Sequence, residues 1–252
     1  MIKICKSFIL GAAILLGLGA TQASVDAAQV MGNAHFQSTA AYYQGNSLII
    51  EGLIGNTGNS PLRDISSIEM SVQDKNGQLI TSSQFNDPGL SNLVLETGDF
   101  KPWVFQIDHV QKADLSKYTV NSHAEFIYSN KPDYTSGVHV FVNNQPLATD
   151  VAAILSGGRT LVPMSSILKQ IGANVSYESS TRTMTAKKGN IRLIHKIGTN
   201  IIEVNGKKVQ MDVSSKVVQG RTLVPLRAIT QTLGGTIMYG KTGDAMTIII
   251  AI

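Results

Sequence analysis

The stretch GRTLVP at residues 158–163 occurs a second time at residues 220–225. At this offset the segments 142–190 and 204–252 align without a gap and are identical at 15 of 49 positions. Self-similarity over such a length predicts an internal duplication, and a duplication determines the architecture of everything that it covers. The two copies therefore decide how the C-terminal half of this chain is interpreted.

Each copy begins with the pattern of a tight β-hairpin. Alternating apolar residues at 139–142 and 201–204 run into Asn-Asn at 143–144 and Asn-Gly at 205–206. These dipeptides tolerate the positive φ angles that a two-residue hairpin turn requires. We therefore expect a strand, a turn and a second strand ahead of each GRTLVP stretch.

A helix is predicted directly after each GRTLVP stretch. The stretch itself has the apolar character of a short strand, and its proline suits the first helical position because the missing N–H has no partner there. Gly172 and Gly234 follow where a left-handed C-terminal cap is favoured. Between proline and glycine runs one apolar stripe with helical spacing. Its residues are Met164, Ile167, Leu168 and Ile171, and in the second copy Leu226, Ile229 and Leu233.

Beyond the two glycines the apolar period changes to two, which indicates strands. The first copy has room for three of them, the last at residues 191–197, and the second copy has room for two. This pattern predicts an α+β fold in which the copies, at residues 137–199 and 200–252, each pack one helix on a small, mostly antiparallel, curled sheet. The segment 248–250 is apolar on both faces. We expect the neighbouring copy to cover it, since such a strand invites aggregation when it is exposed at a sheet edge.

The residues VNG, a following Asp, GRTLVPLRAI, LGG and a later Tyr resemble the copper amine oxidase N-terminal-like domain, also called the stalk domain. The resemblance covers about residues 137–252. It implies a five-stranded sheet curled on a helix, in the tandem form found on exported proteins of Firmicutes. It does not imply copper chemistry, because the oxidase reaction needs a catalytic domain with three histidine ligands and a tyrosine-derived quinone, and no such domain fits here.

The histidines of the chain support the same view. They show no His-x-His pair and no other close ligand spacing, so we expect no metal site and no cofactor. The residues are His35, His109, His123, His139 and His195.

Residues 28–132 are predicted to form a β-sandwich. Short alternating runs are separated by Gly, Asn, Asp and Pro turns at spacings near ten residues, which is typical of that fold. The order EGLIGNTGNSPLRDI, DKNGQLI, LETGDFKPWVFQI and ADLSKYTV is similar to the SLAP domain of exported envelope proteins, or to a related immunoglobulin-like module. In that pattern Trp103 is a strand residue and Gly98 serves the turn before it. Residues 129–137 are the expected linker.

The N-terminus has the three-part order of a secretory signal peptide. Two lysines precede an uncharged apolar run at residues 8–20, and small residues follow. That run is shorter than the roughly 20 residues of a membrane-spanning helix. We therefore expect residues 1–27, which include Cys5, to be removed by cleavage after Ala23 or Ala27. The remaining chain is then secreted or on the outer face of the cell envelope, with no transmembrane segment and no disulfide.

The charge of the chain argues against a nucleic-acid partner. Without residues 1–27 it has 19 basic and 16 acidic residues, a net charge of +3. A nucleic-acid-binding domain usually has a clustered basic stripe, whereas the paired lysines here stand apart at 187–188 and 207–208. The net positive charge still allows a weak attraction to anionic cell-wall polymers.

No arrangement of reactive residues predicts an enzyme. Ser165 and Ser166 have no partnered histidine, and the stretch GGRT at 157–160 lacks the ending of a phosphate loop. We expect a non-catalytic structural or adhesive module whose partner is a cell-wall polymer or another envelope protein; the alternative is a binding protein for a cell-wall glycan or a soluble ligand. The repeated Arg159 and Arg221 either brace a turn through several hydrogen bonds or present a fork to a carboxylate or phosphate.

Overall fold

The computed structural model describes residues 34–128 and 132–252. Of these residues 59% lie in strands and only 8% in three short helices. The fold is therefore mostly β, and the expected α+β class is wrong. The expected signal peptide at residues 1–27 and part of the expected linker lie outside the described residues.

The first of two compact units contains the described residues up to Ser136 together with Met238–Met246. Its elements before Ser136 are β1 (Ala34–Gln44), β2 (Ser47–Asn56), β3 (Leu62–Asp74), β4 (Leu79–Phe85), α1 (Pro88–Ser91), β5 (Val94–Leu95), β6 (Phe100–Ile107) and β7 (Tyr118–Tyr128). One antiparallel sheet has the order β1-β2-β6. The other is built on β3, which pairs with β4, β5 and β7, again antiparallel.

Both sheets of this unit contribute side chains to one hydrophobic core. Phe105 of β6 is fully buried. Its ring centroid lies 4.8 Å from that of Phe36 in the same sheet and 4.4 Å from that of Phe85 in the other sheet. Trp103 lies in β6 and packs against this core, and Gly98 has a φ of 83° in the turn before β6. Both residues are therefore where the sequence predicts them.

The second unit contains Gly137–Ile237 and Thr247–Ile252. The elements from Ser136 onward are β8 (Ser136–Val142), β9 (Gln145–Pro146), β10 (Ile154–Ser156), β11 (Arg159–Pro163), α2 (Met164–Gln170), β12 (Asn174–Glu178), β13 (Thr183–Lys188), β14 (Ile191–Lys196), β15 (Ile201–Val204), β16 (Lys207–Gln210), β17 (Lys216–Val218), β18 (Arg221–Pro225), α3 (Leu226–Thr232), β19 (Thr236–Thr242) and β20 (Asp244–Ala251). Each helix begins one residue after the proline, which acts as the N-cap instead of the first helical residue. Gly172 and Gly234 follow the helices with the expected positive φ angles.

The strands of the two copies are interleaved. A five-stranded antiparallel sheet has the order β12-β13-β14-β15-β16, so three strands of the first copy continue into the hairpin that opens the second copy. Another sheet, β19-β20-β8-β9, joins the last strands of the second copy to the hairpin that opens the first. The two GRTLVP strands pair with each other in a third sheet, β10-β11-β18-β17. The expected arrangement of one helix on one sheet in each copy is therefore wrong.

Burial on both faces gives the physical reason for this exchange. Leu161 and Val162 are consecutive residues and neither has exposed surface, and the same is true of Leu223 and Val224. A strand of this kind needs cover on both faces. A helix of seven residues is only about 10 Å long, so it covers little of its own copy's strands. The helix of each copy also packs against the strand of the other copy, α2 against β18 and α3 against β11.

The expectation for the last strand is confirmed. Ile248, Ile249 and Ile250 of β20 are at most 2% exposed. The strand pairs with β8 of the first copy, where Asn143 N donates to Ile250 O at 2.9 Å. The Asn143 side chain continues the pairing, because its Oδ1 accepts from Ile252 N at 2.9 Å.

Candidate functional site

An approximate two-fold relationship links the two copies where their GRTLVP strands meet. In the register of β11 and β18, Val162 lies opposite Val224, which is its own counterpart in the repeat. On either side, the leucine of one copy faces the proline of the other. Such self-complementary pairing has the geometry of an isologous dimer interface, here formed within one chain.

The two repeated arginines each pair with an aspartate of the other copy. Arg159 Nε donates to Asp212 Oδ2 at 2.6 Å. Arg221 donates through Nε to Asp150 Oδ1 at 2.9 Å and through Nη2 to Asp150 Oδ2 at 2.5 Å. Asp150 and Asp212 are themselves counterparts in the repeat, so the same contact is made twice. Each arginine therefore braces a loop of the other copy.

These ion pairs lie at the surface. The side chains of Arg221 and Asp150 are 46% and 60% exposed. The hydrogen bonds from Arg221 lower the pKa of Asp150 and, in return, raise the pKa of Arg221. Solvent screens exposed ion pairs, so each pair contributes little stability. The main effect of these two pairs is to align the loops that they join. The sequence shows the identical aspartates at the repeat offset but not the exchange of partners.

A cleft of about 760 Å³ adjoins the Arg221 pair. The β8–β9 hairpin, the loop after it and the exposed face of α2 form its walls. Its polar lining includes Gln145, Asp150, Ser165, Ser166, Lys169 and Arg221. The structure thus brings Arg221 together with the two serines that the sequence analysis considered, whereas Arg159 lies outside this lining.

Gln170 fixes the shape of this cleft. Its Nε2 donates to the backbone oxygens of Gln145 and Pro146, both at 3.1 Å, and its Oε1 accepts from Ala148 N at 2.9 Å. One side chain of α2 therefore holds the whole hairpin wall. The counterpart in the second copy is Thr232, whose buried hydroxyl has no hydrogen-bond partner among the described residues. The braced wall is therefore a feature of the first copy.

Three groups on α2 are available to a ligand. In the part of the chain that the structure describes, the hydroxyls of Ser165 and Ser166 and the ammonium of Lys169 make no hydrogen bond or ion pair within the protein. Both carboxylate oxygens of Asp150 are already bound by Arg221, so the positive charge of Lys169 is not compensated inside the cleft. Sequence reasoning did not single out Lys169, because nothing in the pattern separates it from other exposed helix lysines.

His195 has a structural role in the second unit. The side chain is 1% exposed, and its Nδ1 lies 2.8 Å from Ile201 O while its Nε2 lies 2.7 Å from Ser215 Oγ. A carbonyl oxygen only accepts hydrogen bonds, so Nδ1 is assigned the proton and Nε2 accepts the Ser215 hydroxyl. That hydroxyl oxygen in turn accepts from Gly198 N at 2.8 Å. Burial lowers the pKa of His195, which keeps the ring neutral.

Metal-ligating residues do not converge in the described residues. No group of three or more His, Cys, Asp or Glu side chains that could hold a metal ion occurs there. The absence of a metal site and of a cofactor stays a prediction of the sequence analysis.

A second, shallower cleft of about 570 Å³ lies in the first unit, on one face of β3, β4 and β7. In the strand register Glu69 lies between Gln84 and His123. Ser71 lies in the same way between Ser82 and Asn121. Polar side chains of three strands thus lie side by side in this cleft.

Comparison with protein families concerns the C-terminal half of the chain. Residues 141–248 match the copper amine oxidase N-terminal domain. A single match thus spans both GRTLVP stretches, as the interleaved sheets do. The copper amine oxidase N-terminal domain is a non-catalytic, stalk-like domain, so the match gives no support for an enzyme.

The other comparisons add little to this result. No curated protein matches the chain. Among the described residues, no helix is long and apolar enough to span a membrane. The SLAP-like character of the N-terminal part and the tandem stalk repeat stay predictions.

Proposed function

We propose that this protein is an exported, non-catalytic structural or adhesive module of the bacterial cell envelope. The match of residues 141–248 to the non-catalytic, stalk-like domain of copper amine oxidases carries the proposal. The domain organisation that we propose with it is a signal peptide at 1–27, a SLAP-like domain at 28–132, and two stalk-like copies at 137–199 and 200–252.

The interleaved sheets support a role as a mechanical element. β8 opens the matched region and β20 closes it, and these two strands are neighbours in one sheet. Tension along this part of the chain therefore acts on the hydrogen bonds between its first and last strands. The tension is then distributed over several hydrogen bonds. Two separate domains joined by a linker would instead transmit tension through the linker alone.

Export is tested on the native protein. Its N-terminal peptide, identified by mass spectrometry, should begin at Ser24 or Ala28. The protein should also be digested by protease that is added to intact cells. Intact Met1 on protein recovered from the cytoplasm would contradict the proposal.

The second candidate is a binding protein for a cell-wall glycan, and the α2 cleft with its unpaired donors favours it. Purified mature protein would be sedimented with isolated cell walls at low and high salt. Saturable binding that salt weakens would support the glycan-binding role. Surface location without any binding to the walls would leave the purely structural role.

A further inference from the structure

We propose that the α2 cleft binds a phosphate or carboxylate group of a cell-envelope polymer. The inference deepens the glycan-binding candidate, and it rests on the proposed function only for the source of the ligand.

The free polar groups of the cleft are mainly donors. The ammonium of Lys169 and the remaining guanidinium N–H groups of Arg221 can only donate, and the hydroxyls of Ser165 and Ser166 can donate as well. The one acidic side chain, Asp150, has both oxygens bound by Arg221. An oxyanion that only accepts hydrogen bonds complements this set, and charge-assisted bonds to it are stronger than neutral ones.

The cleft is also suited to such a group in size and rigidity. Its volume of about 760 Å³ is within the range of ligand sites, about 300–1,000 Å³. The hydrogen bonds of the Gln170 side chain hold the hairpin wall against α2 before any ligand arrives. An uncharged apolar ligand would leave the donors of Ser165, Ser166 and Lys169 unpaired, which is unfavourable.

The two copies differ at the positions that make the cleft. They share the residues on which the fold depends, including GRTLVP and the paired aspartates. In the second copy the positions of Ser165, Ser166, Lys169 and Gln170 hold Arg227, Ala228, Gln231 and Thr232. The cleft is therefore not a by-product of the shared fold.

Two substitutions test the proposal with little risk to folding. Ser166→Ala and Lys169→Gln place in α2 the residues that α3 already has at the same positions, so the helix should still form. The full mature chain would be titrated by calorimetry with poly(glycerol phosphate) and, separately, with a muropeptide that carries free carboxylates. We expect the double variant to bind on the order of tenfold more weakly, and its residual binding to depend less on salt.

Lys208→Gln is the matched control. It removes one positive charge from exposed β16, at the counterpart position of Pro146, and should bind like the wild type. Binding of the phosphate polymer, of the muropeptide, or of both that the double variant weakens would support the proposal and identify the source of the anion. Binding of neither ligand, unchanged binding by the double variant, or equal weakening by Lys208→Gln would overturn it. Export is measured independently, so that result would leave the proposed envelope function standing.

Discussion

Arg221 and Asp150 are 71 residues apart in the chain and are joined by two hydrogen bonds of 2.9 and 2.5 Å. Arg159 and Asp212 form the equivalent contact, in which the first copy provides the arginine and the second copy provides the aspartate. Each copy of the repeat thus provides the arginine of one pair and the aspartate of the other.

The first prediction is energetic coupling within each pair. Arg221→Ala and Asp150→Ala should each lower the melting temperature slightly. The melting temperature of the double variant should be no lower than that of the less stable single variant. Thermal melting of all four proteins in a double-mutant cycle measures this. Because Arg221 lowers the pKa of Asp150, the coupling should be complete above the ordinary carboxyl pKa and disappear as the pH falls through the lowered value.

Combining partners from different pairs provides the control for that cycle. Arg221→Ala with Asp212→Ala breaks both contacts, so its effects should add. If the effects of Arg221→Ala and Asp150→Ala on the melting temperature also add, the hydrogen bonds between these two side chains contribute no measurable stability.

The second prediction is acid sensitivity from His195. Burial lowers its pKa in the folded state, so the unfolded chain binds more protons below the ordinary histidine value of about 6.5. Stability should therefore fall as the pH is lowered from about 7 to 5. His195→Gln should flatten this part of the curve of melting temperature against pH.

The exposed His123→Gln is the comparison for His195. It should keep the slope of the wild type. If His195→Gln keeps that slope too, another group causes the acid sensitivity.

The third prediction is that the two copies unfold together. Deleting Thr247–Ile252 removes most of β20 and leaves β8 paired only with the two-residue β9. Residues 137–199 should then be cut faster by protease than in the full chain, although the deletion is in the other copy. Unchanged resistance of 137–199 would mean that the copies are independent.

A point substitution makes the same test without a truncation. Ile249 is fully buried, and Ile249→Ala should lower the free energy of unfolding by about 2–5 kcal/mol. The transition should remain single when it is followed by probes in both copies. Val217→Ala, at a side chain that is 55% exposed, should change stability by less than about 0.5 kcal/mol.

The fourth prediction concerns Gly235. A Cβ there would lie 2.7 Å from Ala251 O and 2.6 Å from Ile252 Cγ1. Gly235→Ala forces the backbone of the last strand to move, and we expect a cost of about 1–3 kcal/mol in chemical denaturation. The counterpart position is Ala173, and Ala173→Gly should cost about 1 kcal/mol or less. Equal costs at both positions would disprove the close approach.

The fifth prediction is that copper has no effect on stability. The described residues contain no cluster of three or more metal-ligating side chains, despite the family to which residues 141–248 are similar. The melting temperature should be the same with one equivalent of copper and with a chelator. A reproducible shift of several degrees with copper would reveal a site.

The sequence predicts the elements of the second unit well, because each of them depends on a local signal. Asn143 and Asn205 adopt the positive φ angles of the predicted turns, and both helices begin next to the predicted prolines. The partners of the strands depend on long-range packing and leave no local trace. Val162 alone does not reveal that it lies opposite Val224, and so the α+β interpretation placed the right strands in the wrong sheets.

The candidate site could be predicted only in part for a similar reason. Arg221 stands out because it is repeated, whereas Asp150 gains its importance only when the loop brings it to the other copy. The sequence does not distinguish Gln170 from other amide side chains on helices, because its role depends on its contacts with the hairpin. Residues that act through tertiary contacts have no signature in a single sequence.

The pairing of β8 with β20 also determines when the chain can fold. The hydrogen-bonded Asn143 and Ile252 are 109 residues apart, so the first strand of the interleaved region pairs only with the two-residue β9 until the last strand has been synthesised. Contacts between such distant residues form slowly. In a polypeptide that emerges with its N-terminus first, the interleaved region would therefore stay incompletely folded until nearly all of it has emerged. Passage through a narrow channel requires an unfolded chain, so late folding of this region is compatible with the export that we propose.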